Sequence, residues 1–432
     1  MQSEKCDSKR LLHAIGLMFI TLMTACAGTS TATVTTAAPS MARVASADMQ
    51  PDFARLGLHL LLDDGRNAWE TDLWPLHMAY ADRALSPGGY VVQVIRADDL
   101  DAPKWQQFMD LCARHELTPV LRLATVFDRA NGYWLPPQPD ADGTYSSIIG
   151  RYLQFLTALE WPQSEKHVIV LNEPNNGVEW QGRPDPTAYA RFLVELSAAL
   201  RQSLPGARVL NAALDLYAPD TGSQPFANGW TYISADHFLD EMIAAEPNVF
   251  ANVTIWNSHA YPLGAFRHPP WEQTFHFDAI NDAPPVSQIP PDGIVNRGIN
   301  GYTWELWKLS TYGIAPLPVL ITETGWRHTG GIAGSLDAAT DYPTPLDAAR
   351  YLDLALRGNT GCYPRWPDDS WTPLLQDPRV IGVVLFALDG TPGEWSHTNL
   401  LMMSDTGAII GAHPAFDLLT IYQNLTATGC PM

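Results

Sequence analysis

The sequence reads as an α/β chain, and three observations narrow it to a single (β/α)8 (TIM) barrel with long loops on one face. From about Phe53 to the C-terminus, eight short apolar, β-branched runs alternate with amphipathic stretches whose apolar residues recur every three to four positions. Runs such as Val168-Ile169-Val170-Leu171 and Val383-Val384-Leu385-Phe386 are apolar throughout, as strands buried on both faces of a parallel sheet must be. Polar residues gather just beyond these runs, where a parallel barrel opens its mouth. A doubly wound sheet is the rival arrangement. It rarely needs eight such units and normally offers a glycine-rich phosphate turn, which this sequence lacks.

The strands are expected, in order, at residues 56–62, 90–95, 118–123, 167–171, 207–212, 252–257, 318–322 and 380–386. The first ends on Asp63-Asp64 and the second on Arg96-Ala97-Asp98-Asp99; the third carries Arg122 inside it. The fourth runs into Asn172-Glu173-Pro174-Asn175-Asn176. The sixth, with an apolar Trp256 suited to the core, runs into Ser258-His259-Ala260-Tyr261-Pro262. The seventh meets Glu323-Thr324-Gly325-Trp326 and the eighth Asp389-Gly390. Helices are expected at 103–115, 146–159, 186–203, 302–312, 345–357 and 414–424. Between about 262 and 300 the prolines Pro269-Pro270, Pro284-Pro285 and Pro290-Pro291 forbid a helix and suggest a rigid wall of the cleft.

Of 432 residues, 46% are hydrophobic and 17% charged, which allows a large core; 26 Lys and Arg against 46 Asp and Glu give a net charge of −20. Such a chain repels phosphate backbones, so nucleic acid is excluded as a partner. Residues 1–26 have the form of an export signal, with Lys5, Lys9 and Arg10 before an apolar run. Met23-Thr24-Ala25-Cys26 resembles a lipobox, in which Cys26 becomes a lipid anchor and the only link to a membrane; an ordinary cleavage site that happens to contain Cys is the other reading. Residues 27–50, rich in Ser, Thr and Ala, read as a tether, and 51–432 as the barrel. The expected location is a bacterial cell surface or the medium. Cys112 falls on a helix and belongs in the core, while Cys362 and Cys430 are candidates for a disulfide in an exported protein.

Glu173 and Glu323 stand immediately beyond the fourth and seventh strands, so a closed barrel aims both carboxylates into one mouth. Cleaving a glycosidic bond with retention requires such a pair, one protonated beside the leaving oxygen and one ionised beneath the anomeric carbon. Repulsion and burial are expected to separate their pKa values.

Asn172-Glu173-Pro174 after strand four, with Glu323 after strand seven, resembles clan A of the glycoside hydrolases, retaining enzymes on (β/α)8 barrels. The resemblance spans nearly all of 53–425 and includes features of families 5, 17 and 39. It implies that Glu173 is the acid/base, Glu323 the nucleophile and Asn172 a partner of the sugar 2-hydroxyl. His259-Ala260-Tyr261 is similar to the family 5 His-x-Tyr, whose Tyr orients the nucleophile. Arg96 occupies the place of an Arg that holds the nucleophile ionised, although Arg122 competes for that role. The chain differs from family 5 in having Leu123-Ala124-Thr125 where a His is usual and Phe386-Ala387-Leu388-Asp389 where a Trp is usual. Trp326 and Trp395 are then the candidate stacking platforms. The implied activity is hydrolysis of β-linked poly- or oligosaccharide, with carbohydrate as the partner and neither cofactor nor metal. Two other readings stand beside it. One is a carbohydrate-binding surface barrel without turnover. The other is a metal-dependent hydrolase, which needs strand-end ligands where the first strand offers only His59.

Overall fold

The computed structural model describes residues 51–432 other than 67, 223–224, 227–228, 274–293, 295–296, 333–337, 368–370, 391–394, 405–407, 426–428 and 432. The export signal, Cys26 and the tether therefore lie outside the described residues, as does most of the proline-rich wall. Among the described residues, no helix is long and apolar enough to cross a membrane.

Eight parallel strands form one sheet: β1 (Leu56–Leu60), β2 (Tyr90–Arg96), β3 (Thr118–Ala124), β4 (Lys166–Val170), β5 (Ala207–Leu210), β6 (Trp256–His259), β7 (Val319–Thr324) and β8 (Val380–Leu385). Their order, β5-β4-β3-β2-β1-β8-β7-β6, closes into a (β/α)8 barrel through a single parallel bridge from Leu210 to Ile255. Beside that bridge the Asn211 side chain stands in for a backbone amide. Its Oδ1 accepts from Asn257 N at 2.9 Å and its Nδ2 donates to Asn257 O at 3.2 Å.

Among the described residues, eight helices of nine or more residues cover the barrel: α1 (Trp74–Ala84), α2 (Ala102–Arg114), α3 (Ser146–Ala158), α4 (Pro186–Ser203), α5 (Ala235–Ala245), α6 (Tyr302–Thr311), α7 (Pro345–Arg357) and α8 (Pro414–Tyr422). All but α3, α5 and α6 carry proline at their first positions, where a missing N–H costs nothing. Asp101, Asp185, Ser234 and Thr344 cap α2, α4, α5 and α7 through side-chain oxygens.

Apolar side chains fill two layers. Val92, Val120, Ile169, Leu210, Ile255, Leu320 and Val384 plug the barrel interior, and a larger shell, including Cys112 and the fully buried Trp256, lies between strands and helices. Cys362 and Cys430 form a disulfide with their Cα atoms 5.3 Å apart.

Candidate active site

The interior plug ends two residues below the mouth, and polar side chains replace it. On β7, alternation counted from the inward Leu320 would point Glu323 outward. The register with β6 and β8 shifts around this position, and the bulge turns Glu323 to the axis. There its Oε1 accepts from Arg122 Nη1 at 2.6 Å and its Oε2 from the Tyr261 hydroxyl at 2.8 Å. Burial by itself would raise this carboxyl. The charges of His259 and Arg122 and the Tyr261 hydrogen bond outweigh it and hold Glu323 down at about 2. Tyr261 is pushed well above its ordinary value by burial and by Glu323, so it stays a donor. Its ring stacks on Phe266 with centroids 3.9 Å apart.

Glu173 follows β4 on a backbone that uses left-handed conformations at Leu171 (φ 69°) and at Glu173 itself (φ 31°). Each such residue costs on the order of 1–3 kcal/mol, so the surrounding structure must enforce it. Asn175, fully buried, supplies the constraint. Its side chain accepts from Asp215 N at 2.9 Å and donates to the carbonyls of Asp215 and Ile233 at 2.9 and 3.0 Å, tying this loop to the one after β5.

His259 stands between the two carboxylates. Its Nδ1 lies 2.7 Å from Glu173 Oε1 and 3.7 Å from Glu323 Oε2. Burial opposes a charge on this imidazole, but Glu323 and Glu173 more than compensate and raise its pKa above the ordinary value.

The arrangement brings together Asn172, Glu173, His259, Tyr261 and Glu323, with Asn172 Oδ1 accepting from Arg122 Nη1 at 2.8 Å. Two expected members are elsewhere. Arg96 does not reach Glu323: its guanidinium is held by Asp63 at 2.5 Å and Asp98 at 3.0 Å, and Arg122 makes the contact instead. The physical cause is stagger, since Arg122 pairs with Val94 one pleat deeper than Arg96. Trp326 is not a platform. Gly325 (φ 142°) turns the chain away, and Trp326 is buried in the helix layer, its indole donating to His268 O at 2.8 Å beside Tyr351. Trp395 does lie at the mouth, partly exposed and edge-on to Phe386 at 5.2 Å.

Three further residues belong to the mouth, of which the sequence singles out His59 only as a lone histidine of the first strand. His59, fully buried in β1, has Nε2 at 3.6 Å from Glu323 Oε1 and no hydrogen-bond partner on either ring nitrogen among the described residues. Burial and Arg122 hold it at about 3, hence neutral. Glu179 is pushed up to about 7 by burial, against Arg122 and with help from Glu173. Asp215 is raised by burial and by the same Glu173 charge. Only the alternation of β1, which turns residues 57, 59 and 61 inward, could have pointed to His59. Chemically, the mouth holds one carboxylate fixed in its ionised form and, across a narrow gap, a carboxyl–imidazole pair able to carry a proton. Among the described residues no cluster suits a metal ion.

No family profile and no curated protein matches the sequence. Solved structures do resemble the fold. A family 39 glycoside hydrolase from the gut symbiont Bacteroides cellulosilyticus WH2 superposes with a TM-score of 0.51 at 14% identity, over 87% of this chain and 64% of that one. The chain therefore spans less than two thirds of that relative's length. GH5_18 from Streptomyces cattleya, in complex with GlcNAc, gives 0.47 at 12% identity over 86% and 81% of the two chains. These neighbours are glycoside hydrolases of the clan that the loop motifs resemble, and the first of them establishes a shared fold.

Proposed function

We propose that the chain is a retaining glycoside hydrolase that cleaves O-glycosidic bonds in a β-linked poly- or oligosaccharide by double displacement. The observation that carries this reading is the shared imidazole. With His259 Nδ1 2.7 Å from one carboxylate oxygen and 3.7 Å from the other, those oxygens are separated by no more than the sum of the two distances. That limit admits the roughly 5 to 5.5 Å of a retaining pair. The fold shared with a family 39 glycoside hydrolase agrees with it.

In the first step Glu323, held ionised by Arg122 and Tyr261, attacks the anomeric carbon while the Glu173–His259 pair releases a proton from Glu173 to the leaving oxygen. The electrons of the broken C–O bond leave with that oxygen. Once Glu323 is an ester its charge is gone, and His259 loses one of the two anions that raised its pKa. In the second step Glu173 accepts a proton from the attacking water, and the sugar departs with its original configuration. Asn172, oriented by Arg122, is the candidate partner of the sugar 2-hydroxyl, and Trp395 the candidate platform.

Replacing Glu323 by Ala is expected to abolish turnover of aryl β-glycosides, with azide restoring cleavage and yielding a glycosyl azide of inverted configuration by NMR. A variant that keeps the wild-type rate would remove Glu323 from the nucleophile's role. A folded wild-type protein that binds oligosaccharide yet cleaves no β-glycoside would favour the binding-only barrel. We further propose export with acylation of Cys26 as the membrane link. Detergent partitioning of the full chain and its Cys26→Ser variant tests this, and identical partitioning of the two would end it.

A further inference from the structure

Beyond the two carboxylates the mouth continues into a cavity of about 470 Å³ lined by Arg66, Phe127, Arg129, Gly132, Val178 and Trp230. These residues come from the loops after β1, β3, β4 and β5, so the cavity opens on the same face as Glu173. Val178 sits in the turn that carries Glu179. Arg66 is close enough to the active centre for its charge to act on Glu179, and its guanidinium lies 5.9 Å from the ring of Trp395.

Resting on the glycosidase reading, we infer that this cavity is a subsite for an anionic sugar residue of the glycan, one whose ring carries a carboxylate or a sulfate group. Charge points to such a ligand. The chain carries 46 acidic and 26 basic residues, so cations are the scarcer charge, and two of them line this cavity. Lys104 in the same mouth meets Asp63 and Asp99 at 2.7 and 2.6 Å, as Arg96 meets Asp63. Exposed Arg129 differs from those two: among the described residues it is in no ion pair. The adjacent Asp128 is spent on its own turn, accepting from Ala130 N at 2.9 Å and Asn131 Nδ2 at 2.7 Å. Two guanidinium groups thus line one cavity, and their planar forks match the oxygens of a carboxylate or sulfate.

Shape agrees with charge. Arg66 is aimed by Asp64, whose Oδ1 accepts from its backbone N at 2.9 Å and whose Oδ2 lies 3.5 Å from Nη2, leaving the guanidinium over Phe127 at 5.6 Å. Phe127 is pinned in a hairpin with Trp134, centroids 5.2 Å apart. Trp230 packs on Gly182, where φ is +79° and a Cβ would come within 3.0 Å of the indole. The cavity therefore offers the fixed ring of Trp230 for a sugar face and two guanidinium groups for its substituent, a combination a neutral sugar does not require.

The test is calorimetric binding to the full chain of β-1,4-linked gluco-, manno- and galacto-configured tetrasaccharides, each with a hydroxymethyl, a carboxylate or a sulfated C6. For at least one backbone an anionic form is expected to bind about 10- to 100-fold more tightly than its neutral counterpart, with the gain shrinking as salt rises. Arg129→Gln should remove that preference and Arg129→Lys restore part of it. Tighter binding of the carboxylate form assigns a uronic acid, and tighter binding of the sulfated form assigns a sulfated sugar. The inference is overturned if no anionic form binds better than its neutral counterpart, including no binding at all, or if Arg129→Gln keeps the preference. Turnover of neutral oligosaccharides without anionic preference would sink the subsite alone. Anionic binding without turnover of any β-glycoside would sink the glycosidase reading alone.

Discussion

Arg96 ends the inward-facing row of β2 whereas Arg122 lies one pleat deeper on β3, and that difference sends one to Asp63 and the other to Glu323. Residue types at strand ends were legible in the sequence; the stagger that selects among them was not, because it depends on how neighbouring strands slide as the barrel closes. Tyr261 illustrates what that placement does. Its hydroxyl favours the charged form of Glu323, so Tyr261→Phe should lower kcat/KM on the order of 10- to 150-fold, the equivalent of about 1.5–3 kcal/mol for a hydrogen bond to a charged group. The sign on pH follows from the depressed value. Glu323 must be ionised to attack, and losing a donor raises its pKa, so the acidic limb of the kcat/KM profile should move to higher pH. An unchanged profile and rate would place Tyr261 outside the reaction.

At the level of strands and helices, the eight expected strands and six named helices all exist, with ends that move by a few residues. Strand six starts four residues later than its apolar run suggests, because the chain from Asn252 to Ile255 meets β5 only at its end, through the Leu210 bridge and the bonds of Thr254 to Val209 O. The bulge in β7 was not legible, since a bulge leaves residue types untouched and changes only which face they take. Helix α6 carries a further consequence of burial. Glu305, fully buried, accepts from Ser258 Oγ, and burial raises it to about 7 against that bond. A carboxyl whose folded pKa lies above its unfolded value near 4.5 stabilises the fold at low pH, and this contribution is lost as pH rises from about 4.5 through 7. Glu305→Gln keeps an acceptor for Ser258 without the charge. The variant should gain stability over wild type at pH 8, on the order of 3 kcal/mol, and little at pH 4.5, as read from denaturation midpoints. Equal differences at both pH values would argue that the carboxyl titrates normally.

For the molecule as a whole, the number of repeating units and the face that carries the polar loops were legible, because they follow from alternation and from the habits of parallel strands. The closure was not, since it rests on one bridge, on the bonds of Thr254 to Val209 O and on the Asn211 amide. Mechanically, the barrel is a ring with a thin joint, and a ring yields at its joint before it yields elsewhere. Glu173 rides on one side of that joint, beyond β4 and β5, whereas His259 and Glu323 ride on the other, on β6 and β7. The structure thus works as a calliper whose jaws are the two halves of the reaction centre and whose screw is the short joint that the Asn211 side chain spans. Asn211→Ala should speed amide exchange in Ala207–Leu210 and Trp256–His259 more than in β1, β2 and β3, while opening the gap that the Glu173–His259 hydrogen bond spans. Uniform exchange across all eight strands would show instead that the ring has no preferred place to open.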